Sequence, residues 1–205
     1  MARRKRIWYP GAIYHVMSRG NHKSTIFKDE IDRRRFLTYL KTVKDNQDFY
    51  LHAFCLMSNH FHMLIETKDT ELSKIMQKLL SSYAEDYNYR HELTGHLFEG
   101  RYTACLVEDE RYFLEVSRYI HLNPVKANLV KDPYDYFYSS FKTYVNENGF
   151  DKNDPYRAIS NLIDTDRILG MCNSNSQYKY KQFVEDRIDH TDQEILIKKD
   201  IKDID

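Results

Sequence analysis

The chain has 205 residues and no net charge, and this length allows a sizeable hydrophobic core without disulfides or structural metal ions. Its three cysteines lie far apart and form no C-x-x-C pair, so neither a disulfide framework nor a cysteine zinc site is indicated. No segment approaches the roughly 18 consecutive apolar residues of a membrane span. We therefore expect a protein of the reducing cytoplasm with no membrane partner.

Zero net charge gives no overall electrostatic signal for nucleic acid. Two local basic runs are candidates for phosphate contacts, one around Arg3, Arg4 and Arg6 and the other at residues 33–35. Each run also fits an ordinary solvated surface. We predict phosphate contacts for the N-terminal run.

The first half of the chain alternates strand-like and helix-like segments. Residues 13–17 predict a strand, and residues 29–45 carry apolar residues, Ile31 among them, at helical spacing behind Asp29 as a cap. Residues 49–57 and 60–66 predict paired strands around a tight turn. Residues 70–90 predict a second amphipathic helix whose apolar stripe faces the core.

The next segments complete the order of a known architecture. Residues 102–107 predict a strand, and residues 110–122 predict a third helix that ends at Asn123 and Pro124. The order predicts an α+β fold, a ferredoxin-like split βαβ antiparallel sheet with helices on one face and an extra catalytic helix. We expect this domain to span residues 1–130, followed by a partly flexible C-terminal helical extension over residues 131–205 with a frayed end.

His60 and His62 stand two residues apart on a predicted central strand. Residues i and i+2 of a strand point to the same face with Cα atoms about 6.6 Å apart, so two imidazoles there can converge on one ion. We expect this pair to be accessible from the surface and Phe61 to point into the core. The spacing also fits two histidines that merely cover a sheet face. The apolar residues 63–65 disfavour the H-x-H-x-D-H pattern of dinuclear zinc hydrolases.

Tyr119 and Asn123 lie four residues apart on the third helix and therefore on one helix face. At the expected helix end, the Asn123 amide oxygen can act as a hard ligand. Together with two imidazoles it would leave positions on a Mg²⁺ or Mn²⁺ ion for phosphate oxygens. The chain has 17 tyrosines, and spacing alone leaves open that Tyr119 is an ordinary core or surface residue.

A tyrosine is a chemically reasonable nucleophile for phosphodiester transfer. A phenol has a pKa of about 10, so its ionisation at pH 7 costs roughly 4 kcal/mol, which a nearby cation such as Lys126 or the metal would offset in part. Attack on the phosphodiester gives a covalent phosphotyrosine and a free DNA hydroxyl. The bond energy is retained, and the strand can later be joined elsewhere.

Four segments in order resemble a known signature: LHAFCLMSNHFHMLIE at residues 51–66, GHLFEGRY at 95–102, SRYIHLNPVKA at 117–127 and PYDYFYSS at 133–140. They resemble single-tyrosine HUH transposases, and in particular the REP-associated tyrosine transposases. The resemblance covers roughly residues 8–145 and excludes the later tail.

The resemblance implies a ferredoxin-like HUH domain that cleaves and rejoins single-stranded DNA near hairpins. It implies His60 and His62 as metal ligands, Tyr119 as nucleophile, and a divalent ion, Mg²⁺ or Mn²⁺. Related transposases commonly place a glutamine one turn after the tyrosine, where this chain has Asn123. The shorter side chain is a departure from that pattern at the expected third ligand.

Other residues receive secondary roles. Arg101 and Lys126 are candidate phosphate contacts, whereas His52 and His121 are expected to be structural. Cys55 and Cys105 are expected to be buried.

Several alternatives stay open. The same chemistry could serve a replication or relaxation nickase, although such enzymes usually carry a second domain. From another class, the chain could be a binding-only protein for DNA or RNA hairpins, or a regulator acting on its own transcript. The protein could be a monomer or a homodimer, with Tyr119 serving the histidines of its own chain or of a partner.

Overall fold

The computed structural model describes residues 7–172 and 174–188. The strands are β1 Ile13–Arg19, β2 Phe49–Leu56, β3 His60–Thr67 and β4 Thr103–Val107. The long helices are α1 Glu30–Gln47, α2 Leu72–Arg90 and α3 Glu110–Lys126. Shorter helices follow: α4 Phe141–Val145, α5 Arg157–Ser160, α6 Asp166–Met171 and α7 Ser176–Glu185. Arg3, Arg4, Arg6 and the predicted frayed end lie outside the described residues.

The four strands form one antiparallel sheet in the order β2-β3-β1-β4. This order follows from two split βαβ units, because each helix carries the chain past one strand position. The position that α1 passes is filled later by β3, and the one that α2 passes is already occupied by β1. The predicted ferredoxin-like fold is confirmed. The hairpin of β2 and β3 places the predicted histidine strand in the interior of the sheet, between β2 and β1.

Alternation along the strands divides the core into two parts. On one face, Tyr14 of β1 and Phe61 of β3 pack in a cluster with Phe36 of α1 and Ile75 of α2. Phe61 is fully buried there, as predicted. Leu64, on the other face of β3, packs in a second cluster. The sheet therefore separates the two long packing helices from α3.

The helix α1 begins as its sequence predicts. The Asp29 carboxylate accepts a hydrogen bond of 3.0 Å from the backbone N–H of Asp32, which satisfies one of the free amides of the first turn. Ile31 departs from the prediction, because half of its side chain is exposed. It lies in the first turn, before the helix comes to lie along the sheet. Phe36, Leu40 and Val43 of the stripe are buried, and Leu37 is partly buried.

The predicted end of α3 at Asn123 and Pro124 is wrong. The helix continues to Lys126 with Pro124 inside it. Proline removes one backbone donor, but the chain leaves the helix within a turn. The amide N–H of Ala127 still bonds to the Asn123 carbonyl at 3.0 Å. The extra turn keeps Lys126 on the same helix as Tyr119.

The C-terminal helices cover the outer side of α3. Their buried residues join the second core cluster, together with Val116 and Ile120 of α3. The contributing residues are Phe141, Tyr144, Ile168, Tyr180 and Val184. The α3 helix is therefore held between the sheet and this extension. Within the described residues, no helix is long and apolar enough to cross a bilayer.

Candidate active site

Two strands and one helix bring three histidines and one tyrosine together. His62 of β3 stacks on His15 of β1, with ring centroids 5.2 Å apart. The Tyr119 ring meets the His62 ring edge-on at 5.5 Å and the His15 ring at 5.7 Å. His60, two residues before His62, lies at 5.1 Å from it, ring to ring. The residues predicted from separate motifs thus meet within one chain.

The burial of these side chains differs from the expectation of an accessible pair. His60 is half-buried, whereas His62 is only 2% exposed. The prediction of surface access is therefore wrong for His62, because α3 lies over that part of the sheet and Tyr119 covers the ring. Tyr119 itself is only 8% exposed.

All three histidines are held in the neutral form at pH 7. Burial lowers the pKa of His15 to about 4. Burial and the nearby Arg19 lower the pKa of His60 to about 4. For His62, burial, His15 and His60 together hold the pKa well below its usual value. Neutral imidazole is the form that ligates metals.

The donor set of the site fits a divalent ion in part. Two imidazoles that share one ion through bonds near 2.1 Å have ring centroids roughly 4.5 to 5.3 Å apart, and the observed separation of His60 and His62 is 5.1 Å. No group of three His, Cys, Asp or Glu side chains arranged to hold a metal occurs in the described part of the chain. An ion at this pair therefore needs donors of another kind, such as an amide oxygen or phosphate oxygens.

Asn123, the expected third ligand, lies one turn after Tyr119 on α3. Its amide nitrogen donates a hydrogen bond of 2.8 Å to the carbonyl of Tyr119, one turn earlier on α3. That bond leaves the amide oxygen as the atom that this side chain can present to an ion. It also fixes the side chain beside the tyrosine, within the same turn of the helix.

The predicted basic contacts occupy different places. The Lys126 ammonium lies 5.3 Å from the centroid of the Tyr119 ring. Arg101 is exposed in the loop between α2 and β4, where it borders an open groove along α2. The second basic run is engaged within the protein, because Arg34 pairs with Glu30 and Arg35 with Asp86.

His52 and His121 make contacts typical of structural residues. His52 lies where the pairing of β2 and β3 shifts register, and its ring bonds to the Glu66 carboxylate at 2.8 Å. His121 is fully buried between the hydroxyls of Ser140 at 2.7 Å and Tyr180 at 2.8 Å. Cys55 and Cys105 are buried, as expected.

Sequence reasoning missed two neighbours of the histidine pair. The sequence pattern places His15 in a predicted strand and Asn59 in a predicted tight turn, and indicates no role for either at the site. In the structure the His15 ring bonds to the His62 ring at 3.0 Å, and the Asn59 side chain bonds to the His60 ring at 2.7 Å. A histidine within an otherwise apolar strand was the available signal for His15. No sequence signal indicated Asn59.

The IS200-like transposase family model matches residues 9–123 of this chain. The matched part runs from just before β1 to Asn123, and so includes every strand, both histidines of the pair and Tyr119. The chain belongs to the IS200-like transposase family. No curated protein matches the chain in sequence.

One solved structure agrees with this membership at the level of the fold. A REP-associated tyrosine transposase, solved with a REP hairpin, is 18% identical, has a TM-score of 0.60, and is matched over 74% of this chain and 89% of that chain. A putative transposase from Deinococcus radiodurans is 17% identical with a TM-score of 0.41, over 58% of this chain and 95% of that one. The first comparison shows that this family member shares the transposase fold.

Proposed function

We propose that this transposase cleaves and rejoins single-stranded DNA near hairpins through a covalent 5′-phosphotyrosine at Tyr119. The observation that carries the proposal is the contact of Tyr119 with His62 in a chain of this family. A nucleophile and a candidate ligand pair, separated by more than 50 residues of sequence, lie ring against ring. The REP hairpin in the related structure is the reason for proposing a hairpin substrate.

The proposed chemical step is balanced as follows. The Tyr119 oxygen attacks phosphorus, a Tyr119 Oη–P bond forms, and the bond from phosphorus to the DNA 3′ oxygen breaks. The proton that the phenol gives up is matched by the proton that the released 3′-hydroxyl takes. Attack by another 3′-hydroxyl reverses the step and rejoins the strand.

His60 and His62 would hold a divalent ion, Mg²⁺ or Mn²⁺, with Asn123 as the further protein ligand. The chemistry that such an ion would supply is polarisation of the scissile phosphate and stabilisation of its developing charge. The chain's own contribution is placement: α3 fixes Tyr119 against the sheet, and Lys126 adds positive charge beside the phenol. Arg101 and the run of Arg3, Arg4 and Arg6 are proposed to contact the DNA backbone.

A covalent-adduct assay tests the nucleophile. The full chain is incubated with a labelled, hairpin-bearing single strand and Mn²⁺, and adducts are separated on a denaturing gel. We expect Tyr119→Phe to abolish the adduct while it retains hairpin binding. The matched control is Tyr112→Phe on the same helix, which should keep the adduct. An adduct that persists in Tyr119→Phe would overturn the assignment, and hairpin binding with no adduct in the unaltered chain would favour a binding-only regulator.

We also propose that the site acts in cis, because Tyr119 contacts the histidines of its own chain. Mixing Tyr119→Phe protein with His60→Ala protein tests this. In a cis site neither inactive variant supplies what the other lacks, so the mixture forms no adduct. Adduct formation by the mixture would show a site shared between two copies.

A further inference from the structure

Each of the two candidate histidine ligands has one ring nitrogen hydrogen-bonded to a neighbouring side chain. The Nδ1 atom of His60 lies 2.7 Å from Asn59 Oδ1, and the Nδ1 atom of His62 lies 3.0 Å from His15 Nε2. A neutral imidazole carries one proton, on either nitrogen, and only the other nitrogen has a lone pair for a metal. The neighbours therefore decide which nitrogen can ligate.

For His60 the direction of the hydrogen bond follows from the amide. An amide oxygen can only accept, so His60 Nδ1 must carry the proton and donate to Asn59 Oδ1. The amide orientation is fixed in turn, because Asn59 Nδ2 donates to the Lys23 carbonyl at 3.2 Å. Turning the amide over would place two oxygens against each other at Lys23. His60 is left with its lone pair on Nε2.

The turn that carries Asn59 is itself anchored to the segment after β1. The backbone N–H of Gly20 donates to the Asn59 carbonyl at 2.9 Å, and the N–H groups of Ile26 and Phe27 both donate to the Ser58 carbonyl at 3.0 Å. Gly20 has no room for a side chain, since an added Cβ would lie 2.1 Å from the Ser24 carbonyl oxygen. The amide beside His60 is thus held by backbone contacts.

For His62 the hydrogen bond to His15 permits two tautomers. If His15 donated, the proton of His62 would lie on Nε2 and that nitrogen could not ligate. If His62 Nδ1 donates to His15 Nε2, the lone pair of His62 lies on Nε2, as it does in His60. Both rings are 2% exposed, so water has little access to replace this bond.

We propose that Asn59 and His15 are positioning residues that hold His60 and His62 as Nδ1–H tautomers, so that both Nε2 atoms are available to one divalent ion. The inference deepens the proposed function and rests on it for the role of the ion. Outer partners of metal-binding histidines typically change metal affinity by 10- to 100-fold when they are removed.

The first test reads the tautomers in the metal-free full chain. Long-range ¹H–¹⁵N correlation spectra of protein labelled at histidine distinguish Nδ1–H from Nε2–H rings. We expect Nδ1–H for both His60 and His62. An Nε2–H ring at either position would overturn the proposal for that histidine. This measurement needs neither DNA nor cleavage.

The second test measures Mn²⁺ affinity by electron paramagnetic resonance. We expect Asn59→Ala and His15→Phe each to weaken Mn²⁺ binding by about 10- to 100-fold. Asn59→Asp and His15→Gln keep an acceptor oxygen near the same ring, and should lose less. The exposed His96→Gln variant is the control, with unchanged affinity. Circular dichroism on each variant separates loss of binding from loss of fold.

The outcomes distinguish this inference from the proposed function. If Asn59→Ala and His15→Phe fold and bind Mn²⁺ like the unaltered chain, the positioning role is overturned even though Tyr119 still forms an adduct. If the unaltered chain binds no Mn²⁺, the role is likewise overturned. If both affinities fall as expected but Tyr119→Phe keeps its adduct, the nucleophile is wrong and the positioning role stands.

Discussion

The two sides of α3 differ in what they contact. The side with Tyr119 and Lys126 lies toward the histidines of the candidate site. The side with Ser117 and His121 lies under the C-terminal helices, where the Tyr180 hydroxyl bonds both to Ser117 at 2.9 Å and to His121. The first side carries the proposed nucleophile, and the second takes part in a buried hydrogen-bond network. Substitutions on the two sides should therefore separate activity from stability.

The largest expected effect is on activity, from the ligand pair beside α3. His60→Ala should reduce adduct formation by at least about 1,000-fold, equivalent to ~4 kcal/mol, because it would remove a proposed ligand of the divalent ion. Because the His60 ring is only half-buried, its removal should change the free energy of unfolding little. The yield of covalent adduct in Mn²⁺ tests the loss of activity, and thermal unfolding tests the small effect on stability. Full cleavage in the presence of a chelator would contradict the metal-dependent reading.

On the side of α3 that lies under the C-terminal helices, Tyr180→Ala should lower the free energy of unfolding by about 3–5 kcal/mol. Removal of the fully buried aromatic ring leaves a cavity, and His121 loses its hydrogen bond to the Tyr180 hydroxyl. The matched control is Tyr178→Ala on the same helix. Tyr178 is 54% exposed, so its loss should fall within about 0.5 kcal/mol. Urea unfolding of both variants makes the measurement. Equal effects would show that α7 does not pack on α3 as described.

Acid should lower the free energy of unfolding through His121, which lies under the C-terminal helices. Burial lowers the pKa of His121 to about 3. Because the folded pKa lies below the unfolded value of about 6.5, the unfolded chain binds the proton more readily. The contribution of neutral His121 is present above pH 6.5 and decreases as the pH falls toward 3. Each such histidine adds a slope of up to about 1.4 kcal/mol per pH unit.

In the variant His121→Leu, the slope of the unfolding free energy against pH should decrease by up to about 1.4 kcal/mol per pH unit, which corresponds to one bound proton. Urea unfolding at several pH values between 7 and 4 gives the slope directly, and the exposed His96→Gln variant should leave it unchanged. An unaltered slope in His121→Leu would show that the buried ring does not govern acid sensitivity. The pH dependence that remains in His121→Leu should come from His15, His60 and His62, whose pKa values are also lowered.

The smallest expected effect is at the end of α3. Lys126→Gln should leave the free energy of unfolding within about 0.5 kcal/mol, and should weaken hairpin binding similarly for all sequences. Because the proposed phosphate contact would be lost, the salt dependence of binding should decrease by about one unit of slope. Binding titrations at several salt concentrations test this. A change in sequence preference would contradict a phosphate contact at Lys126.

The sequence by itself determined the order of the elements and the predicted site. Apolar periodicity predicted the burial of Leu72, Tyr83 and the rest of the α2 stripe, and alternation predicted that His60 and His62 share a face while Phe61 enters the core. These are local consequences of the repeat of a helix or a strand. The family motifs then connected the histidine pair with Tyr119.

Only the tertiary structure decided how buried and how oriented that site is. His15 and His62 belong to different strands and meet through the register of β1 with β3, in which Met17 lies opposite His62. Asn59 faces His60 because Gly20 and Lys23 anchor its turn. The course of α3 past Pro124 depends on packing against the sheet and the C-terminal helices. Such contacts join residues far apart in the chain, and local patterns contain no information about them.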